Sequence, residues 1–239
     1  NPYMGVKRYK VIGQNAAGED ITFEDSVRMS MTETRYKQDY LAIEVASVNA
    51  VFPNYEKVLV HPPGVNRPQK EKDEFWTEWE KVEPFETYTI GYDPASKGDQ
   101  RPCVIRNSSG KVVKIDLMAR LDYEAQWDKL AMYSAMYNGA HVNFGQTGVG
   151  EAIGQQLINR GLTVNPINEQ GSNKGKLVED FAIVVEQQWC QIPWTQEAEN
   201  QLKDYISVGR SGQSTQYKNA TDGEHDDIVS ALYFCFADF

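Results

Sequence analysis

The chain has 239 residues, 41% of them hydrophobic and 24% charged, which suits one large globular domain or one domain with a flanking segment. No apolar run is long enough to span a bilayer and no charged-then-apolar leader opens the chain, so no membrane partner is expected; a start at Asn1 reads as a piece of a longer protein. A net charge of −10 speaks against a general nucleic-acid coat protein but not against a nuclease, whose site needs only a local basic rim and divalent metal.

Residues 1–30 contain alternating stretches such as "RYKVIG" that fit a hairpin. "TETRYKQDYLAIEV" (32–45) has helical spacing and a threonine cap, and "AVFPNY" fits a short strand. Residues 61–87 are rich in proline and charge and lack strand periodicity, so they read as a linker or surface excursion. The pattern sharpens after residue 87. "YTIGYD" (88–93) is a strand ending in Asp93; "PCVIRN" and "KVVKIDLMAR" flank an "SSG" turn and form a hairpin. A helix over 122–138 aligns Trp127, Leu130, Ala131, Ser134 and Tyr137. "AHVNF" is a strand, followed by TGVG and a helix over about 149–160; "LTVNPIN" is another strand. Helices follow at about 174–188 and 195–207, separated by the extended "CQIP". The polar "GRSGQSTQ" (209–216) reads as a loop, and a last helix from about Glu224 aligns Ile228, Ala231, Leu232, Cys235 and Phe236. A meander followed by βαβ units predicts an α/β fold: a mixed sheet of a three-strand meander plus parallel strands, with helices on both faces. Cys103, Cys190 and Cys235 are odd in number and lack metal-ligand spacing, so they read as reduced thiols.

Two places carry carboxylates of interest. Asp93 ends its strand before Pro94 and shares a face with Gly91, not Tyr92. It suits a metal ligand or, equally familiar, a turn-forming Asp before proline. In "DGEHDDIVSAL" (222–232), Glu224, Asp226 and Asp227 sit at a helix start, where acids also act as caps. At about 100° per residue, Asp226 points away from the apolar stripe into solvent, whereas Asp227 lies at its border one turn before Ala231. Asp227 is therefore the better ligand candidate. His225 suits a metal or phosphate ligand but reads equally as solvated. TGVG at 147–150 opens a helix whose N–H groups suit an anion, or it simply permits a tight turn. No P-loop pattern occurs, and "GSNKGK" (171–176) lacks its spacing.

Taken together, the strand ending at Asp93, TGVG before a helix, Asn173–Lys174 opening the next helix and "HDDIVSAL" at 225–232 resemble the C-terminal nuclease domain of the large subunit of tailed-phage terminases, the DNA-packaging motors. The resemblance covers about 85–239, and less specifically 31–55 as a connector from an ATPase domain. It implies a ribonuclease H-like nuclease domain at 85–239 preceded by a connector or linker region at 1–84. It further implies a Mg²⁺- or Mn²⁺-dependent endonuclease, with two ions, that cuts double-stranded DNA in the host cytoplasm. The partners implied are the ATPase domain of the same protein, the portal and the small terminase subunit. Asp93 and Asp227 match the family's first-strand and last-helix aspartates, with Asp226 as neighbour. Lys174, Lys97 and Arg210 are candidate DNA-backbone contacts, each also readable as an ordinary solvated cation.

The chain departs from the family at Gly145, where the family carries an acid two residues before its threonine. Three explanations stand: a weakened or inactivated site, Glu151 reaching back from the helix as a substitute ligand, or neutral oxygens from Asn143 and Gln146. Glu151 is equally an acid placed favourably in a first helical turn. A resolvase- or transposase-like nuclease and a catalytically impaired DNA-binding or docking module are the rival functions.

Overall fold

The computed structural model describes residues 11–14, 19–32, 36, 50–64, 68–94, 101–146, 150–211, 214–220 and 226–239, with backbone only at 150, 151, 209–211 and 214. In chain order these form β1 (Val11–Gln14), β2 (Asp20–Thr22), α1 (Phe23–Met29), β3 (Leu59–Val60), α2 (Gln69–Trp79), β4 (Tyr88–Tyr92), β5 (Cys103–Asn107) and β6 (Val112–Asp116). Then come α3 (Tyr123–Met136), β7 (His141–Gly145), α4 (Gly150–Asn159), β8 (Val164–Ile167), α5 (Asn173–Glu186) and β9 (Ile192–Pro193). The chain closes with α6 (Gln196–Asp204), β10 (Tyr205–Ser211), β11 (Ser214–Asn219) and α7 (Asp227–Cys235).

The central sheet has the strand order β6-β5-β4-β7-β8. The meander β4–β5–β6 is antiparallel, and β7 and β8 add in parallel to β4. Parallel additions need covering on both faces, and the alternating side chains of β4 show how this is met. Tyr88, Ile90 and Tyr92 point into one cluster with Trp127, Leu130 and Tyr137 of the α3 side and Ile153 and Leu157 of α4. The Tyr92 hydroxyl donates to Gln126 Oε1 at 2.7 Å, and Gln126 donates on to the Leu121 carbonyl. The opposite face packs on α5, α6 and α7 through Val104, Val112, Phe181, Leu202, Ala231 and Phe234. Caps start these helices where they are needed: Asp122 accepts from Ala125 N at 2.8 Å for α3, and Thr195 from Ala198 N at 3.0 Å for α6.

Several expectations are corrected. The supposed linker over 61–87 contains α2, whose Phe75, Trp76 and Trp79 pack on one another and whose Trp79 indole donates to the Val112 carbonyl at 2.9 Å. Its charged sequence hides it, because none of its residues is fully buried. "AVFPNY" holds a single bridge from Ala50 to Ile206 and leads into a 3-10 turn at Tyr55–Lys57; the strand comes later, as β3 paired in parallel with β9. The last three residues of the predicted 195–207 helix, and the described residues 209–211 and 214–216 of the polar "loop", belong instead to the antiparallel ribbon β10–β11. Much of that ribbon is solvent-exposed, so no apolar alternation betrays it. The hairpin expected in 1–30 is present as β1–β2. The helix expected over 32–45 lies outside the described residues, apart from positions 32 and 36. All three cysteines are buried free thiols.

Candidate active site

A glycine brings the two candidate aspartates together. A Cβ on Gly91 would stand 2.1 Å from the Ala231 carbonyl oxygen and 2.4 Å from Cys235 N, so α7 lies directly on β4 at this point. The Cys235 thiol donates to the Thr89 carbonyl, which orients the helix: its C-terminal end lies toward the start of the strand. Asp93 is two strand residues beyond Gly91, roughly 6.6 Å along the strand. Asp227 is four helical residues before Ala231, roughly 6 Å back along the helix axis. The helix runs antiparallel to the strand, so the start of α7, with Asp227, lies toward the end of β4 that Asp93 follows. Asp227 is 6% exposed and Asp93 is half-buried, its N–H donating to the Pro102 carbonyl.

The neighbouring parallel strands end in the same row. Tyr92 is level with Phe144, which sets Gly145 level with Asp93, and Gly145 in turn is level with Ile167 of β8. This is the carboxyl end of the parallel strands, the usual ligand side of an open α/β sheet. Asn143, two residues before Gly145, shares its face and donates to the Phe234 carbonyl of α7 at 2.9 Å. Gly145 therefore faces α7 and the aspartates. A Cβ there would stand 2.7 Å from Glu169 Oε2 and 2.8 Å from Phe234 Cζ.

Glu169 follows β8 by two residues and was not singled out by its sequence pattern. Its other oxygen, Oε1, accepts from the Tyr233 hydroxyl at 2.6 Å, and that hydroxyl also lies 3.1 Å from Ser230 Oγ. Burial pushes the Tyr233 phenol well above its ordinary pKa, and Glu169, Tyr205 and Asp93 add to the effect, so it is a permanent proton donor. Tyr205, at the base of β10, is fully buried and also pushed up, first by burial and then by the charges of Asp226, Glu169 and Asp93. Its hydroxyl has no hydrogen-bond partner among the described residues.

Asp226 does not point into open solvent as its helical angle suggests. It is half-buried, makes no side-chain cap bond to α7, and is the carboxylate that bears most strongly on the Tyr205 hydroxyl. It stands just outside the regular helix at φ −117°, so the 100° rule does not apply to it. Asn143 is fully buried with its oxygen accepting from Asn165 Nδ2 at 3.1 Å, so this side chain is committed to joining β7, β8 and α7. Gln146 is exposed at the strand end. Lys174 is half-buried in the first turn of α5. The Glu151 and Arg210 side chains, Lys97, His225 and residues 147–149 lie outside what is described.

Among the described residues the donors at this sheet end are carboxylate and phenol oxygens, a set that suits a hard divalent cation such as Mg²⁺ or Mn²⁺. Among the described residues no three acidic, His or Cys side chains converge at ligand spacing. The buried, unpartnered Tyr205 hydroxyl adds a donor for an oxygen ligand at the same place.

No protein-family model matches the chain. It is 24% identical over 214 residues to the terminase large subunit of Thermus virus P23-45, an alignment that takes in 89% of this chain and 42% of that protein. The chain thus spans less than half the length of this curated relative. Among solved structures it is similar to the large terminase nuclease of the thermophilic phage G20c, with a TM-score of 0.67 and 21% identity over 80% of this chain and all of that one. The same nuclease with bound magnesium aligns equally well, at 0.67 over 81% of this chain and 99% of that one. The fold is accordingly that of the large-terminase nucleases, which is ribonuclease H-like.

Proposed function

We propose that the chain is the nuclease portion of a large terminase subunit and cuts double-stranded DNA by divalent-metal-assisted phosphodiester hydrolysis, with Asp93 and Asp227 as metal ligands. The observation that carries this reading is the packing of α7, which Asp227 opens, on β4 at Gly91, two residues before Asp93. The similarity to terminase nucleases, one of them with bound magnesium, supports it.

Mg²⁺ or Mn²⁺ held here, in a pair if enough carboxylates converge, would lower the pKa of a coordinated water and offset charge on the scissile phosphate. The chain's own residues do the rest. Asp93 and Asp227 supply anionic oxygen from two rigid elements, so little reorganisation is needed on binding. Asp226 adds negative charge at the start of α7. Lys174, with Lys97 and Arg210 as further candidates, would contact the DNA backbone. Residues 85–239 would be the nuclease domain and 1–84 a connector that follows an ATPase domain of the same protein. The portal and the small terminase subunit would be partners, in the host cytoplasm.

Nicking of supercoiled plasmid with Mn²⁺ tests the reading. Asp93→Asn and Asp227→Asn should each reduce the rate by at least about a hundredfold, since removing a metal ligand removes the charge stabilisation that the metal supplies. Parental rates in both would sink it. DNA binding without cleavage in the parent would favour a docking module, and preference for branched over linear DNA a resolvase-like enzyme.

A further inference from the structure

We infer that Glu169 supplies the carboxylate of the metal site for which position 145 has no side chain. This rests on the nuclease reading above and extends it to a residue on a different strand end. The geometry is direct: Glu169 Oε2 lies 2.7 Å from where a residue-145 Cβ would stand. A longer side chain at 145 and the present Glu169 would compete for the same space. The carboxylate therefore reaches the face of α7 from β8 instead of from β7.

Two further observations separate Glu169 from an incidental surface acid. Tyr233 holds Oε1 at 2.6 Å and leaves Oε2 turned toward Gly145. A hydrogen bond to an ionised group fixes orientation as well as energy, so the free oxygen is aimed and not wandering. Independently, the Tyr205 hydroxyl is fully buried with no partner among the described residues, and Asp226, Glu169 and Asp93 are the carboxylates that act on it. Leaving a buried donor unsatisfied carries a desolvation penalty. A water or oxyanion gathered by a cation among these carboxylates is the ligand that would satisfy it. With Asp93 and Asp227, Glu169 would bring the site to three carboxylates, from the ends of β4, α7 and β8, which a bound cation would have to draw together.

The test is Mn²⁺ affinity of the 239-residue chain, measured by calorimetry and by the electron paramagnetic resonance of free Mn²⁺. Glu169→Gln keeps an oxygen for Tyr233 and the side-chain volume, so its unfolding midpoint should stay near the parent's while Mn²⁺ affinity falls at least tenfold. Gly145→Asp with Glu169→Ala moves the carboxylate to the other strand and should bind Mn²⁺ more tightly than Glu169→Ala alone. Parental affinity in Glu169→Gln, or a swap no tighter than Glu169→Ala, overturns the inference. Asp93→Asn separates the two levels of the argument. If it loses Mn²⁺ while Glu169→Gln does not, only the role of Glu169 falls; if neither loses Mn²⁺, the metal site itself is misplaced.

Discussion

Tyr233 donates to Glu169 across 64 positions of sequence, and the 2.6 Å bond ties the last helix to the end of the last parallel strand. Tyr233→Phe deletes only that donor. Loss of a hydrogen bond to a charged group should lower the unfolding free energy by about 1–2 kcal/mol, toward the low end because Glu169 is partly solvated. It should also weaken Mn²⁺ binding about three- to tenfold by freeing the carboxylate to rotate, a smaller effect than removing its charge. Calorimetry with Mn²⁺ and urea unfolding on the same sample read both. Undiminished Mn²⁺ affinity would mean the phenol does not orient a ligand.

Gly91→Ala should be among the most damaging single-methyl changes in the molecule. Its Cβ would meet backbone atoms of α7 at 2.1 and 2.4 Å, and backbone cannot swing aside as a side-chain end can. Overpacking of this kind costs about 1–3 kcal/mol. The functional loss should exceed the stability loss, because lifting α7 separates Asp227 from Asp93. A displacement near 1 Å can cost roughly a hundredfold in rate. Plasmid nicking well below the unfolding temperature distinguishes the two effects: a folded variant with parental nicking would contradict this positioning role.

The sheet and the helices packed on it were legible because their apolar periodicities are strong: β4, β7 and β8 and helices α3, α5 and α7 all fall where the pattern puts them. What escaped lacks a continuous apolar pattern. The α2 helix and the β10–β11 ribbon are charged or polar, and their order comes from a few tertiary contacts such as Trp79 to Val112 and the stacking of Tyr205 with Tyr217. At the site, the helical angle sets Asp227 toward the sheet, where the residue is buried. Glu169 carried no local signal, since it sits in the polar turn "NEQGSNK" where an acid is unremarked. Only the register of β8 on β7 brings it to Gly145. The glycine at 145 is visible in the sequence; that Glu169 stands beside it is visible only in the structure.

Lys174→Ala should weaken DNA binding without changing its sequence preference. The side chain stands in the first turn of α5, half-buried, with no ion-pair partner among the described residues. In a chain with a net charge of −10, each local cation on the DNA path counts. If Lys174 neutralises one phosphate, the slope of log affinity against log salt should become shallower by about 1. Fluorescence anisotropy of a labelled duplex, in Ca²⁺ to suppress cleavage, across a range of salt concentrations measures this. An unchanged slope would mean that Lys174 is an ordinary surface cation.

Asp238 should make the fold sensitive to acid. Its carboxylate receives the Arg106 guanidinium at 2.6 Å and lies 2.8 Å from His141 Nε2, joining β5, β7 and the segment after α7. Burial alone would raise its pKa, but the hydrogen bond from His141 and the charge of Arg106 outweigh burial and hold it below the ordinary 3.8. A depressed carboxylate pKa means that the unfolded chain takes up the proton first as pH falls. The stabilisation is thus complete above the ordinary carboxylate range and disappears as pH drops through the lower folded value. Asp238→Asn removes it and leaves Arg106, whose side chain is only 5% exposed, without its charge partner. The variant should lose about 1–3 kcal/mol at neutral pH, a figure reduced because Asp238 itself is partly solvated. Urea unfolding of parent and variant should show that difference shrinking below about pH 4, as the unfolded parent takes up its proton first and the folded parent follows at its lower value. A difference that persists undiminished through the acid range in which folded Asp238 takes up its proton would contradict the sign of the coupling.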